Sequence, residues 1–452
     1  MARAMTAKRP GWDAVIVGLG ETGLACARHL AARGRRVAVT DSRATPPRAR
    51  ALAAEHPEIP QALGRLDASL LADAGEIVLS PGVDPRLPEL QAAREAGVPM
   101  AGEIELFARV ARAPVVAITG SNGKSTVTSL VGAMAEAAGL RTAVGGNLGT
   151  PALDLLAEPE SELYVLELSS FQLETVASLD ARVATVLNLS PDHLDRYPDI
   201  AAYAAAKQRI FRGHGLMVLN ADDPQVAAMA LAGRERRWFG LGPPAGDEHY
   251  GLVRRAGETW LARGETPLLP TGALALPGRH NQANALAALA LGEAAGLPEA
   301  AMLAALREFR GLPHRSEPVA ERNGVLWVND SKATNVGAAV AAIEGMERPV
   351  VLLAGGDGKG QDFGALATAL RGRARAAVVF GRDAPRLVAA LGDACPVTRV
   401  ADLDAAVTAA AALSRAGDAV LLAPACASLD QFPDYRARGA AFRRAVEGLG
   451  DG

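Results

Sequence analysis

The sequence predicts an α/β protein built as three successive domains. Short β-branched runs alternate with Ala- and Leu-rich stretches along most of the chain, the pattern of parallel sheets covered by helices. Glycine-rich junctions, at 18–23 and 120–126, follow two of the predicted strands, as they do where a strand feeds a phosphate-binding helix. The chain has 452 residues, and at roughly 100–200 residues per domain that leaves room for several cores.

Taken in order, residues 13–17 read as a buried strand, 22–33 as a helix closed by Gly34, and 37–40 as the next strand. A further strand, 77–80, ends in Pro81 and Gly82. A second series starts at 115–119 and runs through 164–167, 183–188 and 217–220. The breaker cluster 242–248 follows, and then 251–255 and 258–262 flank Ala256-Gly257 as the arms of a hairpin, a local antiparallel insertion. A helix over 281–295 is ended by Gly296, and a third series comprises strands 325–328, 350–354, 376–380 and 419–423. Domain boundaries fall near 102 and 312.

Composition excludes several classes of function. Lys plus Arg total 47 against 50 Asp plus Glu, a net charge of −3, so no global attraction draws the chain to nucleic acid or an acidic membrane. Cys26, Cys395 and Cys426 lie far apart, which speaks against a disulfide framework or a cysteine zinc site and for a reducing compartment. Arg3, Lys8 and Arg9 make the amino terminus basic, but the apolar stretch 14–17 is too short for a signal peptide. No run approaches the ~18 apolar residues of a membrane span. We expect a soluble, cytoplasmic monomer.

Gly18-Leu19-Gly20-Glu21-Thr22-Gly23 matches the dinucleotide fingerprint, with Asp41 about twenty residues on. The pattern places backbone N–H groups where they can face a phosphate; it does not say which nucleotide, and NAD is one reading. Gly120, Ser121, Asn122, Gly123, Lys124, Ser125 and Thr126 form a second phosphate loop, shorter than the eight-residue pattern because Ile118 stands where that pattern has glycine. Lys124 supplies charge to the β- and γ-phosphates and the Ser125 hydroxyl can ligate Mg²⁺.

Glu167, Asn188, Asp192, His193 and Asp195 fall at or just beyond strand ends of the second series, where parallel sheets bind ligands. Each also reads as an ordinary turn or surface residue. Lys207 sits in a helical Ala-Ala-Ala-Lys pattern, which by itself describes a solvated lysine. Residues 329–335, 355–359 and 428–432 are polar loops after strands of the third series, suited to a substrate bearing carboxylates or to plain connections.

The combination resembles the Mur ligase family, over essentially the whole chain. Residues 120–126 resemble its ATP loop and Gly145-Gly146-Asn147-Leu148-Gly149 its glycine turn. Residues 167–173 and 192–197 resemble its central-domain signatures, His280-Asn281-Gln282-Ala283-Asn284 the segment facing the nucleotide, and His314-Arg315 the domain junction. Residues 330–335, 357–359 and 428–432 are similar to the branch that adds glutamate. The resemblance implies a Rossmann-like domain over 1–102, a central P-loop ATPase-like parallel sheet with a small antiparallel insertion over 103–312, and a Rossmann-like domain over 313–452.

It also implies an activity: ATP-dependent addition of D-glutamate to UDP-N-acetylmuramoyl-L-alanine through an acyl phosphate, with two Mg²⁺ ions. ATP would meet residues 120–126, Asn281, Asn284, Arg315 and Asp330. The UDP substrate would meet Leu19, Thr22, Ser42, Arg43, Ser80, Pro81, Gly82, Asn147, Ser169 and Gln172. Arg315, Lys332, Thr334, Lys359, Ser428, Leu429 and Tyr435 would hold the amino acid, Tyr435 standing where this branch often has Phe. Ser125 and Glu167 would hold one ion, His193 and a carbamylated Lys207 the second, which makes Lys124, Glu167, His193 and Lys207 the catalytic set. The rivals are a folylpolyglutamate synthase-like ligase and, from another class, an NAD-dependent oxidoreductase.

Overall fold

The computed structural model describes residues 11–156, 159–193, 196–276 and 278–449. Leu194, Asp195 and the basic residues of the first ten lie outside it. Three sheets follow one another along the chain, and each is wound so that loops from non-consecutive strands meet at its carboxyl edge.

The first sheet comprises β1 (Ala14–Val17), β2 (Val37–Asp41), β3 (Gln61–Leu63), β4 (Ile77–Leu79) and β5 (Met100–Gly102). It is parallel throughout, in the order β3-β2-β1-β4-β5. Every residue of β1 is buried, as expected of an apolar strand covered on both faces. The strand order reverses between β1 and β4, so the loops after these two strands face one crevice.

The second sheet holds β6 (Val115–Thr119), β7 (Thr142–Gly146), β8 (Leu163–Glu167), β9 (Val183–Val186), β10 (Leu216–Asn220), β11 (Arg236–Phe239), β12 (His249–Arg255), β13 (Glu258–Arg263) and β14 (Thr266–Pro270). Its order, β14-β13-β12-β11-β10-β9-β6-β8-β7, puts β6 beside β9 at the reversal. The predicted hairpin is β12–β13, turning at Ala256 and Gly257, both at positive φ as a type I′ turn requires. It is the antiparallel insertion expected from the sequence. Parallel pairing of β11 with β12 joins it to the sheet edge, and β14 adds a third antiparallel strand that the sequence reading did not foresee.

The third sheet comprises β15 (Glu317–Arg322), β16 (Val325–Asn329), β17 (Val350–Gly355), β18 (Ala374–Phe380), β19 (Val397–Arg399) and β20 (Ala419–Leu422), in the order β15-β16-β20-β17-β18-β19. Only β15 runs antiparallel, against β16. The carboxyl ends of β16, β20 and β17 lie side by side, which brings together the three polar loops singled out in the third series.

Cores mirror this arrangement unevenly. One apolar cluster joins the first sheet to the second, running from Ile16 and Leu24 through Phe107 to Tyr164 and Val186. The clusters on the two faces of the third sheet draw all their members from residue 319 onward. No described helix is long and apolar enough to cross a membrane.

Candidate functional site

The loop between β6 and the helix Lys124–Ala137 is shaped by two glycines. Gly120 has φ 153° and Gly123 φ 80°, backbone that favours glycine, and a Cβ on Gly123 would sit 2.5 Å from the Asn284 side-chain oxygen. The loop is clipped to the end of β9. The Ser121 amide donates to the Asn188 carbonyl (2.9 Å), the Asn122 amide to Asn188 Oδ1 (2.8 Å), and the Ser190 amide to Ser121 Oγ (3.0 Å). Lys124 Nζ folds back and donates to the Gly120 and Ser121 carbonyls at 2.8 Å each. Burial brings this amine down to about 8, with Glu167 opposing the shift.

Glu167 ends β8 beside the loop. It accepts from Ser125 Oγ and from Asn147 Nδ2, the latter at 2.5 Å. Burial pushes its carboxyl up, but Lys124, these two hydrogen bonds and Arg315 outweigh burial and hold it below its ordinary value. An ionised carboxylate touching a hydroxyl at the mouth of a phosphate loop is the donor chemistry Mg²⁺ takes, completed by phosphate oxygens and water. No group of three or more His, Cys, Asp or Glu converges among the described residues.

Lys207 is almost wholly buried beneath the loop. Its Nζ donates to the Gly120 carbonyl (2.9 Å) and Thr119 Oγ1 (3.3 Å) and lies 4.6 Å from the centre of the Tyr203 ring. Burial first, and Lys124 second, push its pKa well below the usual lysine range. A solvated lysine is what the helical pattern suggested; the fold turns it inward instead. His193, at φ 55°, packs edge-on against Phe171 with Nε2 3.7 Å from Asp192 Oδ2. Burial lowers it, so the imidazole is poised neutral with lone-pair capacity.

A cavity of ≈ 670 Å³ joins the phosphate loop, Glu167, His193 and Lys207 to the third domain, and Asn147 and Ser169 also line it. Asn281 and Asn284 face it from the helix Arg279–Ala295, and with Thr126, Leu130, Leu274, Leu276, Leu306 and Phe309 they frame a small, largely apolar hollow beside it. Opposite stand Arg315, Asp330, Lys332, Thr334, Lys359, Ser428, Leu429 and Tyr435. Burial raises Asp330 to about 6 and lowers Lys332 to about 8, and the Lys332 ammonium lies 4.3 Å from the Tyr435 ring centre.

Polar bridges cross this cavity. Arg315 Nη2 donates to Ser125 Oγ (2.5 Å), Asn335 Nδ2 donates to Asp192 Oδ2 (3.1 Å) and Asn122 Oδ1 (3.3 Å), and Lys359 Nζ lies 3.9 Å from Asp192 Oδ1.

The residues expected to meet a UDP group are less tightly gathered. Ser80, Pro81 and Gln172 line a small second hollow between the first two sheets, while Thr22, Ser42, Arg43 and Gly82 line neither it nor the cavity. Leu19 is fully buried and contributes its amide, which donates to Asp41 Oδ2 at 2.7 Å. Asn147 spends its amide on Glu167. Asp41, the acid an NAD site would aim at a ribose, is itself occupied: it also takes a two-pronged contact from Arg43 Nε (2.9 Å) and Nη2 (2.7 Å) and is 2 % exposed. That geometry opposes the dinucleotide reading of this loop.

Several contributors were not singled out from sequence. Tyr203, whose hydroxyl lies 3.3 Å from Ser121 Oγ, reads as a core aromatic. Asn335 closes the polar loop 329–335 in the sequence, and its place as N-cap of the helix Val336–Glu344, accepting from the Ala338 amide at 2.8 Å, is the signal that marks it.

Comparison with known proteins agrees with this geometry. Three family descriptions match in succession: "Mur ligase MurD-like, N-terminal domain" over 13–102, "Mur ligase middle domain" over 118–292, and "Mur ligase, glutamate ligase domain" over 314–426. A protein of Nitrosococcus oceani named UDP-N-acetylmuramoylalanine--D-glutamate ligase is 58% identical over 434 residues, covering 96% of each chain. One of Pseudomonas aeruginosa with the same name is 54% identical over 440 residues, covering 96% of this chain and 98% of its own. Among solved structures, the UDP-N-acetylmuramate-alanine ligase of Thermotoga maritima shares the fold at TM-score 0.62 and 22% identity, over 97% of this chain and all of that one. With three consecutive family matches and end-to-end relatives identical at more than half their positions, this chain belongs to the Mur ligase family.

Proposed function

We propose that the protein is an ATP-dependent ligase that joins D-glutamate to UDP-N-acetylmuramoyl-L-alanine, acting in the cytoplasm as a single chain. The observation that carries the reading is the cavity that sets a phosphate loop with its lysine and carboxylate opposite the cationic loops of a third domain. The relatives' names supply the substrates. In this reading 1–102 holds the UDP group, 103–312 the ATP and 313–452 the glutamate.

A carboxylate is a poor electrophile, because attack by an amine would have to expel oxide. An oxygen of the substrate's terminal carboxylate therefore attacks the γ-phosphorus, the bond from that phosphorus to the ADP oxygen breaks, and an acyl phosphate forms. The glutamate amine attacks the acyl carbon and loses a proton. The tetrahedral intermediate then collapses with cleavage of the carbon–oxygen bond to phosphate.

Lys124 gives up its two loop carbonyls to offset charge on the transferred phosphoryl group, the chief demand of such a step. Ser125 and Glu167 would hold one Mg²⁺, and His193 with a carbamylated Lys207 a second; the ions would supply charge neutralisation at the phosphate oxygens. Burial favours the neutral Lys207 amine, the form that adds CO₂ to give a carbamate and a proton. Asn281, Asn284 and Asp330 would orient the nucleotide. Lys332, Lys359 and Arg315 would face the carboxylates of glutamate, with Thr334, Ser428, Leu429 and Tyr435 completing that pocket. Closure of the third domain excludes water from the acyl phosphate.

The test is phosphate release with UDP-N-acetylmuramoyl-L-alanine and D-Glu, L-Glu, L-Ala or diaminopimelate supplied side by side. D-Glu alone should support turnover. Release with another amino acid and none with D-Glu would overturn the assignment.

A further inference from the structure

Arg438 has an unusual setting for a cation. It lies on the helix Tyr435–Glu447 and its side chain is 0 % exposed. No ion pair meets it among the described residues; Asp430 acts on it only through space and already accepts from the Arg382 amide (2.9 Å). Instead the guanidinium donates to four neutral oxygens: Ser331 Oγ (3.0 Å), the Ser331 carbonyl (2.8 Å), the Cys426 carbonyl (3.1 Å) and the Gly355 carbonyl (3.3 Å).

A buried charge without a counter-ion is costly unless its hydrogen bonds are well met, and an apolar side chain of similar volume would fill the space without that cost. The partners explain why a planar fork stands here. Ser331 precedes Lys332 and Thr334, Gly355 precedes the turn to Lys359, and Cys426 precedes Ser428 and Leu429. Arg438 is itself one helical turn from Tyr435, whose carbonyl accepts from Ser331 Oγ at 2.8 Å. Pairing of β16, β20 and β17 fixes the strands as far as Gly355, and beyond it the loops keep scattered backbone bonds, Asp357 bridging Ala427 and the Ala425 amide donating to the Ala333 carbonyl (2.9 Å), in place of a continuous ladder. The rigid geometry of a guanidinium can set the spacing of three such loops at once, which an ammonium on a flexible stem cannot.

We propose that Arg438 is the positioning residue of the amino-acid pocket, holding the three loops at the separation that fits the two carboxylates of glutamate. This deepens the ligase reading and rests on it. Arg438 does not line the cavity, so it acts through Lys332, Lys359 and Ser428 and not by touching substrate.

The test measures three KM values separately on the purified full-length enzyme and its Arg438→Ala and Arg438→Lys variants. In Arg438→Ala the KM for D-glutamate should rise about tenfold or more, the scale of lost hydrogen bonds to a charged group. The KM for the UDP substrate should stay within about twofold, and that for ATP should rise less than that for glutamate, since Asp330 and Arg315 alone reach the nucleotide from the third domain in this reading and the rest of both sites lies on the other sheets. Arg438→Lys should recover part of the loss; if the alanine variant does not fold, the lysine variant decides alone by the same split. An unchanged glutamate KM in Arg438→Lys, or a parallel rise in all three, would overturn the proposal. Failure of the wild-type enzyme to use D-glutamate is read separately, and would remove the ligase reading and this inference with it.

Discussion

The two seams of this molecule are built from opposite materials. Between the first and second sheets, the helix Glu103–Ala108 buries Phe107 edge-on against Tyr164, ring centres 5.0 Å apart, inside an apolar cluster shared by both domains. Buried acids reinforce it: Glu105 accepts from the Ala177 amide (2.7 Å), the Ser178 amide (2.9 Å) and Ser178 Oγ (2.8 Å), and Glu103 from the Leu153 amide (3.0 Å). Between the second and third sheets lies the cavity, crossed by the bridges from Arg315, Asn335 and Lys359. Apolar burial on the first scale holds two domains as one body, whereas a polar seam opens at little cost. Changes at the first seam should therefore cost stability, and changes at the second should cost turnover.

The sharpest contrast comes from Lys124→Ala. Removing the charge opposite the γ-phosphate should lower ADP release by about 10³-fold or more, with little change in thermal midpoint. Near-normal turnover would exclude the phosphate-loop role. On the apolar side, Phe107→Ala should cost about 3–5 kcal/mol of stability, read by denaturant unfolding, while the glutamate KM of the folded fraction stays put. Lys207→Ala should lower turnover by about a hundredfold, and a short carboxylic acid should restore part of it by standing in for the carbamate. Loss without rescue, with no carbamate mass on the native protein, would remove the modified lysine from the account.

Acidity distinguishes the seams as well. Burial raises Glu103 from 4.5 to about 7. A folded-state pKa above the unfolded one means the folded chain holds the extra proton between these values. Stability from this group is thus complete below about pH 4.5 and lost as pH rises through 7, in total about 3 kcal/mol at most. Glu103→Gln, which keeps an acceptor for the Leu153 amide, should raise stability at pH 8 and leave it unchanged at pH 4. The smallest expected effect is Asn335→Ala. It frees Asp192 and uncaps a helix, and should lower turnover about tenfold while costing about 1 kcal/mol.

Sequence made the polar side of this comparison legible, for a physical reason. Phosphate loops, strand-end acids and paired carbonyl-facing cations require fixed residue types at short spacing, so 120–126, Glu167 and the third-series loops stand out locally. What escaped depends on contacts distant in the chain. Lys207 reads as solvated on its helical pattern, and only the family resemblance singles it out, because nothing nearby in sequence announces Thr119 and the Gly120 carbonyl above it; Arg438 reads as an ordinary helix arginine because its partners lie 12 to 107 residues away. In the fold, the short strands β3 (Gln-Ala-Leu), β5 (Met-Ala-Gly) and β19 (Val-Thr-Arg) lack the continuous large apolar run that reveals the equally short β4 (Ile-Val-Leu), and the edge strand β14 contains two prolines. The first glycine loop shows the converse. Its fingerprint is a true feature of the fold and by itself leaves NAD open; the family resemblance, and in the structure the Leu19 and Arg43 contacts to Asp41, argue against NAD.

Central to the whole account is the transfer of a phosphoryl group onto the acid that is to be joined. UDP-N-acetylmuramoyl-L-alanine labelled with ¹⁸O in its terminal carboxylate tests this directly, by mass spectrometry of the phosphate released during turnover with ATP and D-glutamate. Activation as described predicts one ¹⁸O atom in each phosphate, carried there by the carbon–oxygen bond that breaks. Unlabelled phosphate accompanying labelled peptide product would contradict it.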